Sequence, residues 1–285
     1  MNMKKNKSVL EKLEKIFFKV TKEDASDYAK KLKFANNRTH FIIAHTPEGP
    51  LVVNSCSKDY ELIPNKELVM PVLRRLEESY SVDVKVRMYN YAKFYIDYLI
   101  LDHAMNVLGM SKPKKDMILP RIRQNNSYDG YLKYSYQFGF YRVICENGAT
   151  IPLEGTKTFN NKFLHTPAAG NDSALNETLG AMDEFINSAP QLIKRYDPLI
   201  KARVKSVEEA GKIIKTTIEE TDFPQRQTEQ VFAALQQEVS RGYDLNLWLI
   251  YNAMNSALYN AETKQVDHKR DKVDLEVITH LLQAA

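Results

Sequence analysis

Four residues in the middle of the chain carry side chains that could act together in catalysis: Arg142, Cys145, Asn147 and His165. A cysteine paired with a histidine can form a thiolate nucleophile, and an asparagine can orient the imidazole ring. The alternative is structural, because Cys145 is in phase with Val143 and would then be a small buried side chain of a strand. We favour the structural interpretation, since no protease sequence motif surrounds the cysteine.

A second set of residues could contact nucleic acid. Basic residues cluster around an aromatic segment, and the candidates for phosphate contacts are Lys112, Lys114, Lys115, Arg121, Arg123, Lys133 and Arg142. Aromatic rings that stack on bases, flanked by lysine and arginine that meet phosphates, form single-strand binding surfaces. The alternative is an ordinary solvated lysine-rich surface, and the net charge of +4 gives the molecule only a mild field.

The aromatic segment itself predicts a β-strand, because large and polar side chains alternate with a period of two. The large residues that would share one face are Leu132, Tyr134, Tyr136, Phe138 and Phe140. Five large side chains in phase favour a core position over a base-stacking surface. The opposite face, with Lys133 and Gln137, would then be the one available to phosphate.

A turn precedes this strand. The dipeptide Asp129-Gly130 favours chain reversal, because glycine tolerates positive φ and aspartate forms local hydrogen bonds. The predicted partner strand covers 117–123, and Pro120 within it indicates an edge position.

The elements that must position these residues follow from periodicity. Up to about residue 165 the predicted helices cover 8–20, 25–34 and 66–79, and the predicted strands cover 40–45, 51–55, 59–63, 82–88 and 93–101. Asn65 is placed to cap the third helix. From about residue 172 the predicted helices cover 174–188, 191–202, 207–220, 225–241, 245–261 and 271–282.

These patterns predict an α+β fold with a mostly antiparallel sheet backed by helices in the N-terminal half and a helical C-terminal half. Residues 1–170 would form the sheet domain and residues 171–285 a helical region packed on it, unless the whole chain is one domain.

Composition and spacing argue against several classes of protein. The hydrophobic content of 44% and charged content of 27% are typical of a soluble globular chain. No apolar run approaches the roughly 20 residues of a membrane span, and the basic N-terminus predicts a helix rather than a signal peptide. The two cysteines, the scattered histidines and the lack of a glycine-rich phosphate loop predict no metal and no cofactor. We expect a cytoplasmic protein.

Three stretches of the chain, 59–65, 126–130 and 142–148, resemble the motifs of a known family. They are a Tyr-containing segment ending in Asn before a helix, an Asn-Ser-aromatic-Asp-Gly turn, and Arg-hydrophobic-hydrophobic-Cys-x-Asn. A His-Thr pair at His165 follows, and the segment that contains Trp248 resembles the C-terminal helix of the same family. The chain thereby resembles the phage/plasmid-like protein family described as domain of unknown function 932. The resemblance implies a setting on phages, plasmids or integrated mobile elements, and it implies no particular activity.

The leading functional hypothesis is a non-enzymatic nucleic-acid-binding protein of a mobile element, with single-stranded DNA as the favoured partner. It rests on the basic residues around the aromatic hairpin and on the resemblance. One alternative is an enzyme or anti-defence factor that uses the Arg142, Cys145, Asn147 and His165 cluster. Another is an oligomeric scaffold built on the helical half.

Overall fold

The computed structural model describes residues 2–31, 38–107, 116–143, 147–149, 162–163, 172–260 and 267–285. The chain divides into two compact units. Unit 1 comprises the described residues within Met1–Asp102, Arg121–Phe138 and Phe159–Phe185, and unit 2 comprises those within His103–Pro120, Gly139–Thr158 and Ile186–Ala285. The predicted boundary between residues 170 and 171 lies outside the described residues and stays a prediction.

Unit 1 begins with a helix and a small antiparallel sheet. Helix α1 (Asn2–Glu14) is followed by strand β1 (Val20–Asp24) and helix α2 (Ser26–Lys31). Strand β1 pairs with β2 (His40–Thr46), and β2 pairs with β3 (Gly49–Cys56). The predicted hairpin is confirmed. The predicted first helix (8–20) ends early, at Glu14, and the chain enters β1 at Val20, where it pairs with β2.

Helix α3 (Asn65–Ser79) carries its apolar residues on one side, and the buried ones are Leu68, Val69, Val72, Leu73 and Leu76. The helix runs through Pro71. Its N-cap position is Pro64, which makes no side-chain capping bond, so the prediction that Asn65 is the cap is wrong. The strand predicted over 59–63 does not form.

A seven-stranded sheet holds four of the ten predicted site residues: Arg121, Arg123, Arg142 and Asn147. Its strands are β4 (Val82–Tyr89), β5 (Lys93–Ile100), β6 (Met105–Asn106), β7 (Met117–Ser127), β8 (Tyr134–Arg142), β9 (Asn147–Ala149) and β10 (Lys162–Phe163). The main path runs β10-β8-β7-β5-β4, with β6 on β7 and β9 on β8. Strand β7 is therefore central, and the predicted edge position is wrong.

On one side of β7, Pro120 lies at a gap between two partner strands. Strand β5 pairs with β7 as far as Arg121, and β6 pairs with Met117 and Ile118. On that side the proline therefore lies between the two registers.

The aromatic face of β8 is buried, as predicted. Phe140 is fully buried, and Tyr134, Tyr136 and Phe138 are each less than a tenth exposed. Within unit 1 the Gln124 amide donates to the hydroxyls of Tyr134 and Tyr136 and to the Leu68 carbonyl, and it accepts from Tyr98. Burial raises the pKa of Tyr134 to about 12, so these hydroxyls stay neutral. The rings are therefore part of the core and not a base-stacking surface.

The C-terminal half is helical. Its helices are α4 (Asp172–Leu192), α5 (Asp197–Lys201), α6 (Val207–Glu220), α7 (Thr228–Ser240), α8 (Leu247–Asn260) and α9 (Asp267–Gln283). Trp248 is fully buried in unit 2, with its ring centroid 4.9 Å from that of Tyr196 and 5.6 Å from that of Tyr251. Antiparallel sheets in the first half and helices in the second confirm the predicted α+β fold.

Candidate functional site

The motif residues at the start of the central hairpin meet the start of α3. The buried Asn65 donates from its backbone N–H to the Tyr128 hydroxyl at 2.8 Å, and its amide oxygen accepts from Asn126 at 2.8 Å. Its amide nitrogen donates to the Ile16 carbonyl at 3.2 Å. Asn65 thus joins three segments that are far apart in the sequence. The Asn65 amide is satisfied at both ends, by Asn126 and by Ile16, so Asn65 has a structural role, whereas the Asn126 amide oxygen is buried without a hydrogen-bond partner.

Arg142 lies at the centre of a buried ion-pair network in unit 2. Its Nε donates to Asp116 at 2.7 Å, and its two terminal nitrogens donate to Glu238 at 2.7 and 2.8 Å. The Trp248 indole N–H donates to the same Asp116 carboxylate at 2.9 Å. Arg241 adds a bond to Glu238 at 2.8 Å. The guanidinium is 1% exposed, and it connects the end of β8 to helix α7.

This arrangement removes Arg142 from both roles that the sequence predicted for it. A guanidinium whose fork is occupied by two carboxylates offers no donors to a phosphate or to a reacting group. Cys145 and His165 lie outside the described residues. The backbone of Asn147 pairs with that of Arg142 through β9. The catalytic cluster therefore stays a sequence-based hypothesis without a geometric argument in its favour.

A second arginine network lies on one face of the β4-β5-β7 part of the sheet, in unit 1. Asp97 is opposite Arg123 in the ladder, and the two are joined by bonds of 2.6 and 3.2 Å. Arg87 on β4 also donates to Asp97, at 3.1 Å. Burial raises the pKa of Asp97, but the charges of Arg123, Arg121 and Arg87 outweigh it and hold that pKa well below its usual range. Asp97 is therefore ionised at neutral pH.

The predicted phosphate-binding residues separate into three groups. Lys112, Lys114 and Lys115 lie outside the described residues. Arg121, Arg123 and Arg142 are buried, which revises the prediction that they form an open nucleic-acid surface. Lys133 is exposed and remains accessible to a phosphate.

An aromatic and basic cluster that includes Lys133 lies at the β7–β8 turn of unit 1, where Tyr131 and Lys133 are exposed and Lys93 and Asp129 are 20% and 15% exposed. The Tyr131 side chain is 77% exposed, although most tyrosines of the described sheet are buried. The Lys93 ammonium lies 4.7 Å from the centroid of the Tyr131 ring and 2.7 Å from the Asp129 carboxylate. Gly130 has a φ of +73°, which a glycine adopts at little cost. We call Lys93, Asp129, Tyr131 and Lys133 the hairpin tip.

The adjacent β4–β5 turn supports the hairpin tip. Asn90 and Tyr91 both have positive φ, 51° and 54°, and Ala92 accepts a bond from the Tyr128 N–H at 2.7 Å. Tyr91 packs edge-on against Phe18 and donates from its hydroxyl to Glu48 at 3.2 Å. Packing thus holds two non-glycine residues in the left-handed region next to the tip.

Sequence reasoning missed Lys93 and Asp97. Each lies in β5, and the pattern KFYIDYLI contains one carboxylate among apolar and aromatic residues. A lone acidic residue in such a strand is itself an indication of a buried ion pair, because an unpaired buried carboxylate is too costly.

The other described surfaces are less suited to binding nucleic acid. An open groove in unit 2 is lined by Glu219, Glu220, Asp222 and Glu276, whose charges would repel phosphates. Within the described ranges no group of three or more His, Cys, Asp or Glu side chains could hold a metal ion. Among the described helices, none combines the length and apolar character needed to cross a membrane.

The fold and these sites define an α+β protein with two internal arginine–carboxylate networks and an exposed aromatic hairpin tip. A family model described as Domain of unknown function (DUF932) matches residues 52–278. The chain belongs to this family. No curated protein and no solved structure matches the chain.

Proposed function

We propose that this protein binds single-stranded nucleic acid, with DNA as the favoured partner, and that the hairpin tip makes the first contact. The observation that carries the proposal is the exposed Tyr131 ring next to Lys93 and Lys133. A base can stack on the accessible area of the ring, and the lysines can meet the phosphates on either side. No covalent chemistry is part of this proposal.

The geometry favours a single strand over a duplex. Stacking on Tyr131 needs a base that is not already stacked and paired, since each base of a duplex is covered on both faces. The tip presents one ring and a small number of cations, which suits a flexible strand. Because one of the two lysines is paired with Asp129, the phosphate contact of Lys133 should be the stronger one.

We further propose that the protein acts in the cytoplasm on DNA of a phage, plasmid or integrated element. The resemblance of the three motifs to the phage/plasmid-like family supports this setting. The free, buried Cys56 suits a reducing compartment.

Fluorescence anisotropy with a labelled oligo(dT) tests the proposal at several salt concentrations. We expect Tyr131→Ala to weaken binding by about 5- to 150-fold, the loss of about 1–3 kcal/mol from one stacked base. Lys133→Ala should reduce the salt slope by about 0.7, the value for one phosphate contact on a single strand. The matched control Lys215→Ala removes an exposed lysine from α6 and should leave both quantities unchanged.

A duplex of the same sequence provides the second control. Tyr131→Ala should leave its weaker binding unchanged, since no base is free to stack. Lack of oligo(dT) binding by the wild type at about 50 mM salt, where phosphate contacts are strongest, would overturn the proposal.

A further inference from the structure

The Asp129 carboxylate connects the parts of the hairpin tip. Its Oδ2 lies 2.7 Å from the Lys93 ammonium, and its Oδ1 accepts a hydrogen bond from the Tyr131 backbone N–H at 3.0 Å. The ammonium in turn lies over the Tyr131 ring, 4.7 Å from its centroid. One carboxylate therefore fixes the backbone of Tyr131 and holds a cation on one face of its ring.

The ion pair of Lys93 and Asp129 differs from an ordinary surface contact. The two side chains are 20% and 15% exposed, so each charge has lost most of its water. Lys93 lies opposite Ser127 in the ladder of β5 and β7, and Asp129 follows Ser127 by two residues. Exposed ion pairs contribute little because water and salt screen them, and this screening is weaker for a mostly buried pair. We therefore expect the pair to persist in solution when no ligand is bound.

A phosphate that approaches the hairpin tip has to compete with Asp129 for Lys93. Both groups bind an ammonium through an anionic oxygen, and each phosphate of a strand carries one negative charge, as the carboxylate does. The folded turn already positions the carboxylate, whereas the phosphate of a flexible strand must first be ordered. The carboxylate has the advantage, so Lys93 is less available to a strand than the exposed Lys133 is.

We propose that Asp129 regulates the hairpin tip as an internal competitor, which occupies Lys93 and keeps the affinity for single-stranded nucleic acid below the value that the tip could reach. This inference rests on the proposed function and assigns to one residue of the tip a role that opposes binding. While the pair is intact, the ammonium covers one face of the Tyr131 ring and the other face can stack on one base. Lys133 then supplies the phosphate contact, and Lys93 contributes only after the carboxylate is displaced.

Removal of the carboxylate charge tests this competition. Asp129→Asn keeps an amide oxygen that can accept from the Tyr131 N–H, but it cannot form an ion pair with Lys93. We expect this variant to bind labelled oligo(dT) about 5- to 10-fold more tightly than the wild type at about 50 mM salt. Its salt slope should be steeper by about 0.7, since both values correspond to one additional phosphate contact on a single strand. Fluorescence anisotropy over a series of salt concentrations measures both quantities.

A second substitution shows whether the gain comes from Lys93. In the Asp129→Asn background, Lys93→Met should remove the additional phosphate contact and return the salt slope to the wild-type value. In the wild-type background the same substitution should leave the slope nearly unchanged, because Lys93 makes no phosphate contact there. The wild-type comparison does not need a substitution at Asp129, so it tests the competition even if Asp129→Asn fails to fold.

The matched control is Glu11→Gln, which removes an exposed carboxylate from α1 of the same unit. It changes the net charge by the same amount as Asp129→Asn does. Because Glu11 is not part of the hairpin tip, this variant should bind oligo(dT) as the wild type does.

Three outcomes would overturn the inference. They are an unchanged affinity of Asp129→Asn, an equal gain in affinity in Glu11→Gln, and a loss of about 0.7 in the wild-type slope on Lys93→Met. The proposed function survives each of them if the wild type binds oligo(dT) and Tyr131→Ala weakens that binding. If neither the wild type nor Asp129→Asn binds at about 50 mM salt, the proposed function fails and this inference fails with it.

Discussion

At the scale of single residues, the two arginine networks differ in how fully their hydrogen bonds are satisfied. Arg142 has carboxylate oxygens at all three of its nitrogens, and one of those carboxylates also accepts from Trp248. Arg121 has two unused donors. A buried cation whose donors are all satisfied is best explained by architecture.

The Arg142 network makes a prediction about stability. Arg142→Ala leaves Asp116 and Glu238 buried without their main partner, so the free energy of unfolding should fall by about 3–5 kcal/mol. Urea unfolding of the wild type and the variant measures this decrease in the free energy of unfolding. Arg241→Ala removes a half-exposed arginine from the same Glu238 and should cost about 1 kcal/mol or less. Equal effects of the two substitutions would show that Arg142 is not the centre of the network.

At the scale of secondary-structure elements, periodicity identified most helices and strands, but contacts set their ends. Helix α6 has the predicted bounds, because Ser206 accepts a bond from the Glu209 N–H and fixes its first turn. Helix α1 ends before its apolar pattern does, because the chain has to enter β1 and pair with β2. Asn65 would make a good cap, yet its side chain is used by Asn126 and Ile16.

A glycine in α6 tests helix propensity and packing separately. Gly211→Ala should raise the free energy of unfolding by about 0.5–1 kcal/mol, because alanine costs less than glycine in a helix. The new Cβ would also contact the Phe232 ring at 3.5 Å, an ordinary van der Waals distance. Gly180→Ala in α4 adds a Cβ with nothing within 4 Å, so it reports propensity alone. A destabilised Gly211→Ala, beside a stabilised Gly180→Ala, would show that the Phe232 contact is too tight.

At the scale of the whole molecule, the buried carboxylate of Asp97 connects stability to pH. The pKa of Asp97 is lowered in the folded state, so the unfolded chain takes up a proton first as pH falls. The stabilisation that ionised Asp97 gives the folded state is fully present above about pH 3.9, the pKa of an aspartate in the unfolded chain. It is lost progressively below that pH.

Urea unfolding between pH 7 and pH 3 measures this dependence. Asp97→Asn should be less stable than the wild type by about 3–5 kcal/mol at pH 7, because Arg123 and Arg87 lose their carboxylate. The difference from the wild type should narrow below about pH 4. Asp244→Asn, a change at an exposed position, should follow the wild-type curve. If the free energies of unfolding of the wild type and Asp97→Asn differ by the same amount at all pH values, this explanation is contradicted.

The sequence by itself determined the α+β class and the burial of the aromatic strand. Both follow from local periodicity: alternation in β8 placed its large rings on one face, and helical spacing placed Trp248 in a core. Such patterns depend on residues within one element, so they can be recognised without knowing its neighbours.

Only the tertiary structure decided which charged residues are accessible. Arg142 meets Glu238, which is 96 positions away in the chain, and Arg123 meets Asp97, which is 26 positions away. A basic residue in a strand has the same sequence pattern whether it faces solvent or a buried carboxylate. Its role depends on which distant residue contacts it, because a buried charge that is paired with a carboxylate is structural.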